Sequence, residues 1–239
     1  MKNFLKKSFT MIELVFVIII LGIISFFIAP SFERDNLALA FEQVKNHIEL
    51  TQQLALDSDF YISDGNFSNQ DGNAARKDAR LWFKKHWQIQ FHTNDSYSVY
   101  SDTSSNGSAT NNSQFNASLD FSDDLVAQDP LSKLFLSGFL PATTDRVPEE
   151  LRYKDSQLPE TYGVTIAMDT CVFSSGTTTS DRILFDYLGR PYCHMAAAYD
   201  ENDGVYGRLS TTQIRVVLTL DGVTRNICVE PKSGYIHEC

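Results

Sequence analysis

Cysteine is missing from the first 170 residues of this 239-residue chain, and Cys171, Cys193, Cys228 and Cys239 show no C-x-x-C spacing. That leaves a zinc site or a thioredoxin-type redox motif without its pattern of ligands. No Gly-rich phosphate loop, nucleophile elbow or H-E-x-x-H helix is present, so those nucleotide-binding, hydrolase and metalloprotease signatures are absent. His47, His86, His92, His194 and His237 are scattered, without metal-ligand spacing. Positive charge is short: 20 Lys and Arg stand against 30 Asp and Glu, a formal net charge of −10. A surface of that sign repels phosphate backbones and argues against nucleic-acid binding through a basic face. No internal repeat of fixed period occurs.

What is present is ordinary for a globular protein, with 43% hydrophobic and 21% charged residues. The length fits one sizeable domain plus an extra element, or two small domains. All four cysteines fall in the last third of the chain. An even count confined there predicts disulfides formed in an oxidising compartment, with three pairings open.

The N-terminus departs from that background. Lys2, Lys6 and Lys7 precede a run in which every residue from Leu14 to Ala29 is apolar except Gly22 and Ser25. Counted from Phe9 the run holds 21 residues. As a helix it is about 32 Å long, enough to cross the hydrocarbon core of a bilayer. The leading lysines predict a cytoplasmic N-terminus. A secretory signal peptide would end in a small-residue cleavage site. Here the run passes through Ala29-Pro30-Ser31-Phe32-Glu33 straight into an amphipathic segment. Glu13 is the exception inside the run. A carboxylate there either snorkels to the membrane interface or has a function and a partner.

Ser8-Phe9-Thr10-Met11-Ile12-Glu13-Leu14 resembles the type IV prepilin signal, in which a short basic leader is cut before a Phe and a Glu stands at the fifth mature position. Ser8 occupies the place where that family most often has Gly. The resemblance implies cleavage between Ser8 and Phe9 by a prepilin peptidase, N-methylation of Phe9, and assembly through Glu13, which would neutralise the N-terminal amine of a neighbouring subunit. It further implies a single-pass protein of the bacterial inner membrane, N-terminus cytoplasmic and head periplasmic or extracellular. Its partners would be lipid, an inner-membrane assembly platform and other pilin or pseudopilin subunits. Gly22 and Pro30 lie where helices of that family often bend.

Beyond Pro30, Leu37, Phe41, Val44, Ile48 and Ala55 follow helical spacing, with Glu33, Arg34, Glu42, Lys45 and Glu49 largely elsewhere. The expected fold is α+β: a long N-terminal helix packed on an antiparallel β-sheet head, pilin-like. Its parts are a leader at 1–8, a transmembrane half at 9–30, an amphipathic half at 31–57 and a head at 58–239. Residues 58–79 read as a loop, and the Ser/Asn-rich 101–124 as a long loop or insertion. Trp87, Ile89 and Phe91 alternate as in a strand, and 97–100 looks like its hairpin partner. The patch 131–140 fits a helix or an edge strand. Further strands are expected at 164–168, 183–187, 214–220, 223–229 and 235–237, with Asp221-Gly222 as a two-residue hairpin turn.

Within the head, Ile183-Leu184-Phe185-Asp186-Tyr187-Leu188-Gly189-Arg190-Pro191 resembles the F-D-x-x-G-R-P strand-turn of H-type minor pseudopilins of type II secretion. The hairpin 213–229 and the Gly-bearing turn at 230–236 are similar to that family's closing strands. Both resemblances imply a minor subunit of a type II secretion pseudopilus or a type IV pilus. The competing classes are a DNA-capturing minor pilin, which requires a Lys/Arg cluster, and an anchored extracellular enzyme, which requires a catalytic constellation. No catalytic residue and no cofactor is expected. Asp200, Asn202 and Asp203 form a weak calcium candidate without the every-second-residue ligand pattern, and a solvated acidic turn is the simpler reading. Asp64-Gly65-Asn66-Phe67-Ser68 matches an acidic glycosylation sequon of a kind that also arises by chance. Cys193-His194 reads as a disulfide cysteine beside an incidental histidine, and Trp82, Phe83, Trp87 and Phe91 as core.

Overall fold

The computed structural model of the chain describes residues 10–28, 35–58, 85–102, 119, 121, 124–138, 147–174, 176–179, 181–193 and 207–239. They belong to two compact units, Met1–Asp35 and Asn36–Cys239.

In the first unit, helix α1 spans Met11–Ile28. At 1.5 Å per residue its 18 residues measure about 27 Å. Among the described residues no helix is long and apolar enough to cross a membrane. The expected run is longer than α1 at both ends, and Phe9, Ala29 and Pro30 lie outside the described residues. The helical continuity expected through Pro30 falls there too.

The second unit, the head, begins with α2, Asn36–Asp57. The predicted stripe is the buried one: Leu37, Phe41, Val44, Ile48 and Ala55 face inward, while Glu42 and Glu49 are exposed and Lys45 is partly so. Strand β1 (Trp87–Phe91) pairs with β2 (Tyr97–Ser101), which pairs with the short β3 (Leu125–Val126). After a short helix, α3 (Leu158–Tyr162), come β4 (Thr165–Met168), β5 (Cys171–Phe173), β6 (Gly176–Thr178), β7 (Arg182–Phe185) and β8 (Pro191–Cys193). The chain closes with β9 (Ile214–Leu220), β10 (Val223–Val229) and β11 (Ile236–Glu238). One sheet has the order β3-β2-β1-β7-β8, a second β11-β10-β9-β4, and β5 pairs with β6. All these ladders are antiparallel.

α2 lies across both larger sheets. Phe41, Val44 and Ile48 meet Ile89, Val99, Ile183, Val216 and Ile227 in one apolar cluster. The opposite face of β1 is also covered, which the alternation had not indicated. There Arg182 is buried and donates through Nη1 to Gln88 Oε1 and Tyr100 Oη, each at 3.3 Å. Where it is described, the patch at 131–140 is not helical: it opens with a turn at 131–132, with Lys133 at φ 62°, and is extended around Phe135 and Ser137. Phe135 bridges Gln128 and Arg152, and Ser137 bridges Ser98.

Two turns show why the chain reverses where it does. Leu220 pairs with Val223 across Asp221 and Gly222, whose φ values of 50° and 80° suit the right-handed twist of the flanking strands. At the end of β7, Asp186 Oδ1 accepts the backbone N–H of Leu188 at 3.0 Å and of Arg190 at 2.9 Å. Its Oδ2 accepts Arg190 Nε at 2.8 Å and the Tyr192 hydroxyl at 3.1 Å. The Asp and Arg of the F-D-x-x-G-R-P run therefore hold the turn that lets Pro191 start β8.

Of the three pairings open to the cysteines, the structure forms Cys171–Cys193 and Cys228–Cys239. The closed loops have sequence separations of 22 and 11 residues. By chain entropy each is worth about 3 kcal/mol. Cys171→Ser with Cys193→Ser should lower the denaturant-extrapolated stability by that amount, and intact mass of the parent protein should show two bridges. Four titratable thiols in freshly isolated protein would contradict this.

Candidate functional site

Ser8 and Phe9 lie outside the described residues. Glu13 is described, and it has a local task. Its Oε2 accepts the Thr10 backbone N–H at 2.9 Å and the Thr10 hydroxyl at 2.8 Å. Thr10 Oγ1 in turn faces the Glu13 N–H at 3.4 Å. Thr10-Met11-Ile12-Glu13 is thus a capping box that satisfies donors at the start of α1. Within its own unit, every side chain from Met11 to Ile23 is exposed, Phe16 to 60% and Ile18 to 61%.

The head holds a second, unforeseen group of polar side chains on the buried side of α2. Gln43 Nε2 donates to Tyr97 Oη at 2.7 Å and to the Asp155 carbonyl at 2.8 Å. Because that carbonyl can only accept, the orientation of the Gln43 amide is fixed. Gln43 Oε1 accepts the Tyr162 hydroxyl at 2.7 Å. Tyr97 Oη lies 2.6 Å from His47 Nδ1. The phenolic proton cannot go to the Gln43 amide nitrogen, so it goes to His47 Nδ1, and the neutral ring carries its hydrogen on Nε2.

Nε2 points towards Asp129 Oδ1 across 3.7 Å, beyond hydrogen-bond length. The other oxygen of Asp129 accepts the N–H groups of Leu131 at 3.1 Å and Ser132 at 2.6 Å. Burial pushes the His47 pKa down despite the nearby Asp129 carboxylate, and it pushes the Tyr97 phenol well up. Burial also pushes the Asp129 carboxyl up, but the hydrogen bonds from Ser132 and Leu131 and the neighbouring His47 bring it below its usual range. Neutral imidazole, protonated phenol and ionised carboxylate are the forms at neutral pH.

Above this group opens a cleft of about 390 Å³. Gln43, Asn46, His47 and Asp129 contribute its polar part, and Leu50, Pro130, Leu131 and Tyr153 its apolar walls. The His47 and Tyr153 rings meet edge to face at 5.6 Å. Tyr97 is fully buried, so its hydroxyl is a structural link rather than a reacting group. What the cleft offers is hydrogen bonding against an apolar wall.

A third cluster closes the C-terminal turn. His237 Nε2 lies 2.9 Å from Glu230 Oε1, which also accepts Gln213 Nε2 at 2.6 Å. The Glu230 hydrogen bond raises the His237 pKa above 6.5, and the His237 hydrogen bond lowers that of Glu230. The stabilisation from His237 is complete below 6.5 and is lost as pH rises through its raised folded value. The stabilisation from Glu230 is present above 4.5 and is lost as pH falls through its lowered value. Proton NMR should show the His237 ring titrating above 6.5 in the parent protein and returning towards it in Glu230→Gln. An unchanged titration would show that Glu230 does not hold the proton on His237.

The remaining sequence candidates divide cleanly. The cysteines are paired, and Trp87 and Phe91 lie in the core as expected. Trp82, Phe83, His194, the sequon at 64–68 and the calcium candidate Asp200, Asn202 and Asp203 lie outside the described residues. Among the described residues no three His, Cys, Asp or Glu side chains come together as a metal site. His47 was visible in the sequence only as a polar residue on the apolar stripe, between Val44 and Ile48. Asp129 carried no signal, because its partner lies on α2, far away in sequence. Comparison with protein-family models, curated proteins and solved structures finds no match for this chain.

Proposed function

We propose that the chain is a pilin-like subunit of a type II secretion pseudopilus or a type IV pilus. In this reading α1 anchors it in the bacterial inner membrane and then in the filament, and the β-rich head is displayed outside the cytoplasm. One observation carries the proposal: beyond Glu13 the sequence of α1 is apolar on every side, and its side chains from Met11 to Ile23 are exposed within its own unit. A helix of that kind needs lipid or other apolar helices around it. Supporting it are the prepilin-like run Ser8–Leu14, an α2 that packs on antiparallel sheets, and two disulfides of the kind formed in oxidising compartments. The turn built on Asp186 and Arg190 supports the finer reading as an H-type minor pseudopilin.

Glu13 then has two tasks. It caps α1 through Thr10, and in the filament it meets the Phe9 amine of a neighbour. In an apolar filament core an unpaired charge costs several kcal/mol, which the pair largely offsets. The test is expression in the native host with intact mass, membrane fractionation and recovery in sheared filaments. The mature protein should lack residues 1–8 and carry a methylated Phe9. Glu13→Gln should still be inserted and processed, while filament recovery falls by about tenfold or more. A mature terminus beyond Ala29 would overturn the proposal. Full filament recovery of Glu13→Gln would remove the carboxylate from assembly and leave it as a cap.

A further inference from the structure

We propose that the cleft between α2 and residues 129–131 is a carbohydrate site that seats one pyranose unit of a sugar or glycan chain. The chemistry follows from its floor. His47 Nε2–H, set as a donor by the Tyr97 hydroxyl, and Asp129 Oδ1, an acceptor, face each other at 3.7 Å. That distance is too long for a bond between them and leaves no room for an atom in line, but a group seated beside the pair on the cleft side reaches both at about 2.8 Å, accepting from one and donating to the other. A hydroxyl does both. An ammonium can satisfy Asp129 but offers nothing to the imidazole N–H, and a carboxylate or phosphate meets the Asp129 charge.

The surroundings extend the match. Asn46, exposed on the same side of α2, adds an amide with a donor and an acceptor for a second hydroxyl. Tyr153, Leu50 and Leu131 present apolar surface to the C–H face of a sugar ring. Leu131 is 92% exposed at the rim, an apolar side chain left to water until something covers it. The volume of about 390 Å³ falls within the range of small-ligand sites, roughly 300–1,000 Å³. Asp129 is held in place by the Leu131 and Ser132 N–H groups and His47 by Tyr97, so both groups are fixed before a ligand arrives. The site lies wholly in the head and does not depend on how the chain is anchored.

The test uses the full chain in phosphocholine micelles, because maltoside detergents are themselves pyranosides. Methyl glycosides of glucose, galactose, mannose and N-acetylglucosamine, and a linear trisaccharide of each, are titrated and followed by NMR and calorimetry. At least one should saturate with a dissociation constant in about the millimolar range and shift the resonances of Asn46, His47 and Tyr153. Asp129→Asn and Asn46→Ala should each weaken it by about tenfold or more. Asn46→Ala should keep the parent unfolding midpoint, so that lost binding is not lost folding. Tighter binding of the trisaccharide would mark a glycan chain as the source, and equal binding a single sugar unit. No saturation by any sugar, shifts that map elsewhere, or binding of n-butylammonium in their place would overturn the assignment.

Discussion

Asp186→Ala is expected to lower the unfolding midpoint of the head by roughly 10 °C. The carboxylate side chain is only 2% accessible and sits 2.7 Å from Arg190 Nη2. It also accepts two backbone N–H groups and the Tyr192 hydroxyl. Removing it takes the counter-charge from Arg190 and the acceptor from the turn at once. Breaking one partner of a buried pair of this kind costs about 3–5 kcal/mol, a large share of a typical 5–15 kcal/mol. Asp186→Asn should lose less, since an amide oxygen can still accept the Leu188 and Arg190 N–H groups. Thermal unfolding of the full chain in micelles would check both. A midpoint within about 2 °C of the parent for Asp186→Ala would show that the turn is held by its strands instead.

Gly234→Ala should cost about 3 kcal/mol or more, for two reasons that a second glycine separates. Gly234 has φ of 66°, which L side chains adopt only at a cost. It also lies against the Gly189 carbonyl, where an added Cβ would overlap backbone. Gln52 ties this corner together, donating to the carbonyl oxygens of Gly189 at 2.8 Å and Gly234 at 2.9 Å. A methyl group at 234 must push the two turns apart and break that bridge. Gly222 has the same handedness, with φ of 80°, but open space around it. Gly222→Ala should therefore cost only the conformational part, about 1–2 kcal/mol. Equal losses for the two substitutions would mean that the contact with Gly189 carries no energy.

Local signals made part of this fold legible. The limits of β9 and β10 follow from alternation interrupted by Asp221-Gly222, and the buried face of α2 from the spacing of Leu37, Phe41, Val44 and Ile48. β5, β6 and β8 are three residues long, too short for any periodicity to register, and β8 begins at a proline that reads as a turn. The disulfide partners could be chosen only by position in space. The cleft was hidden for the same reason. Gln43 finds Tyr97 54 positions away and Tyr162 119 positions away, and nothing in the neighbourhood of either tyrosine announces the other end. Long-range polar links of this kind leave no period in the sequence.

The Cys228–Cys239 bond joins the residue that follows β11 to the neighbouring strand β10. Mechanically this is a clasp. An edge strand normally peels one hydrogen bond at a time when it is pulled from its end, but here Cys239 cannot leave without β10. Tension applied at Cys239 would pass through the sulfur bridge to β10, inside the second sheet, and load its strands together.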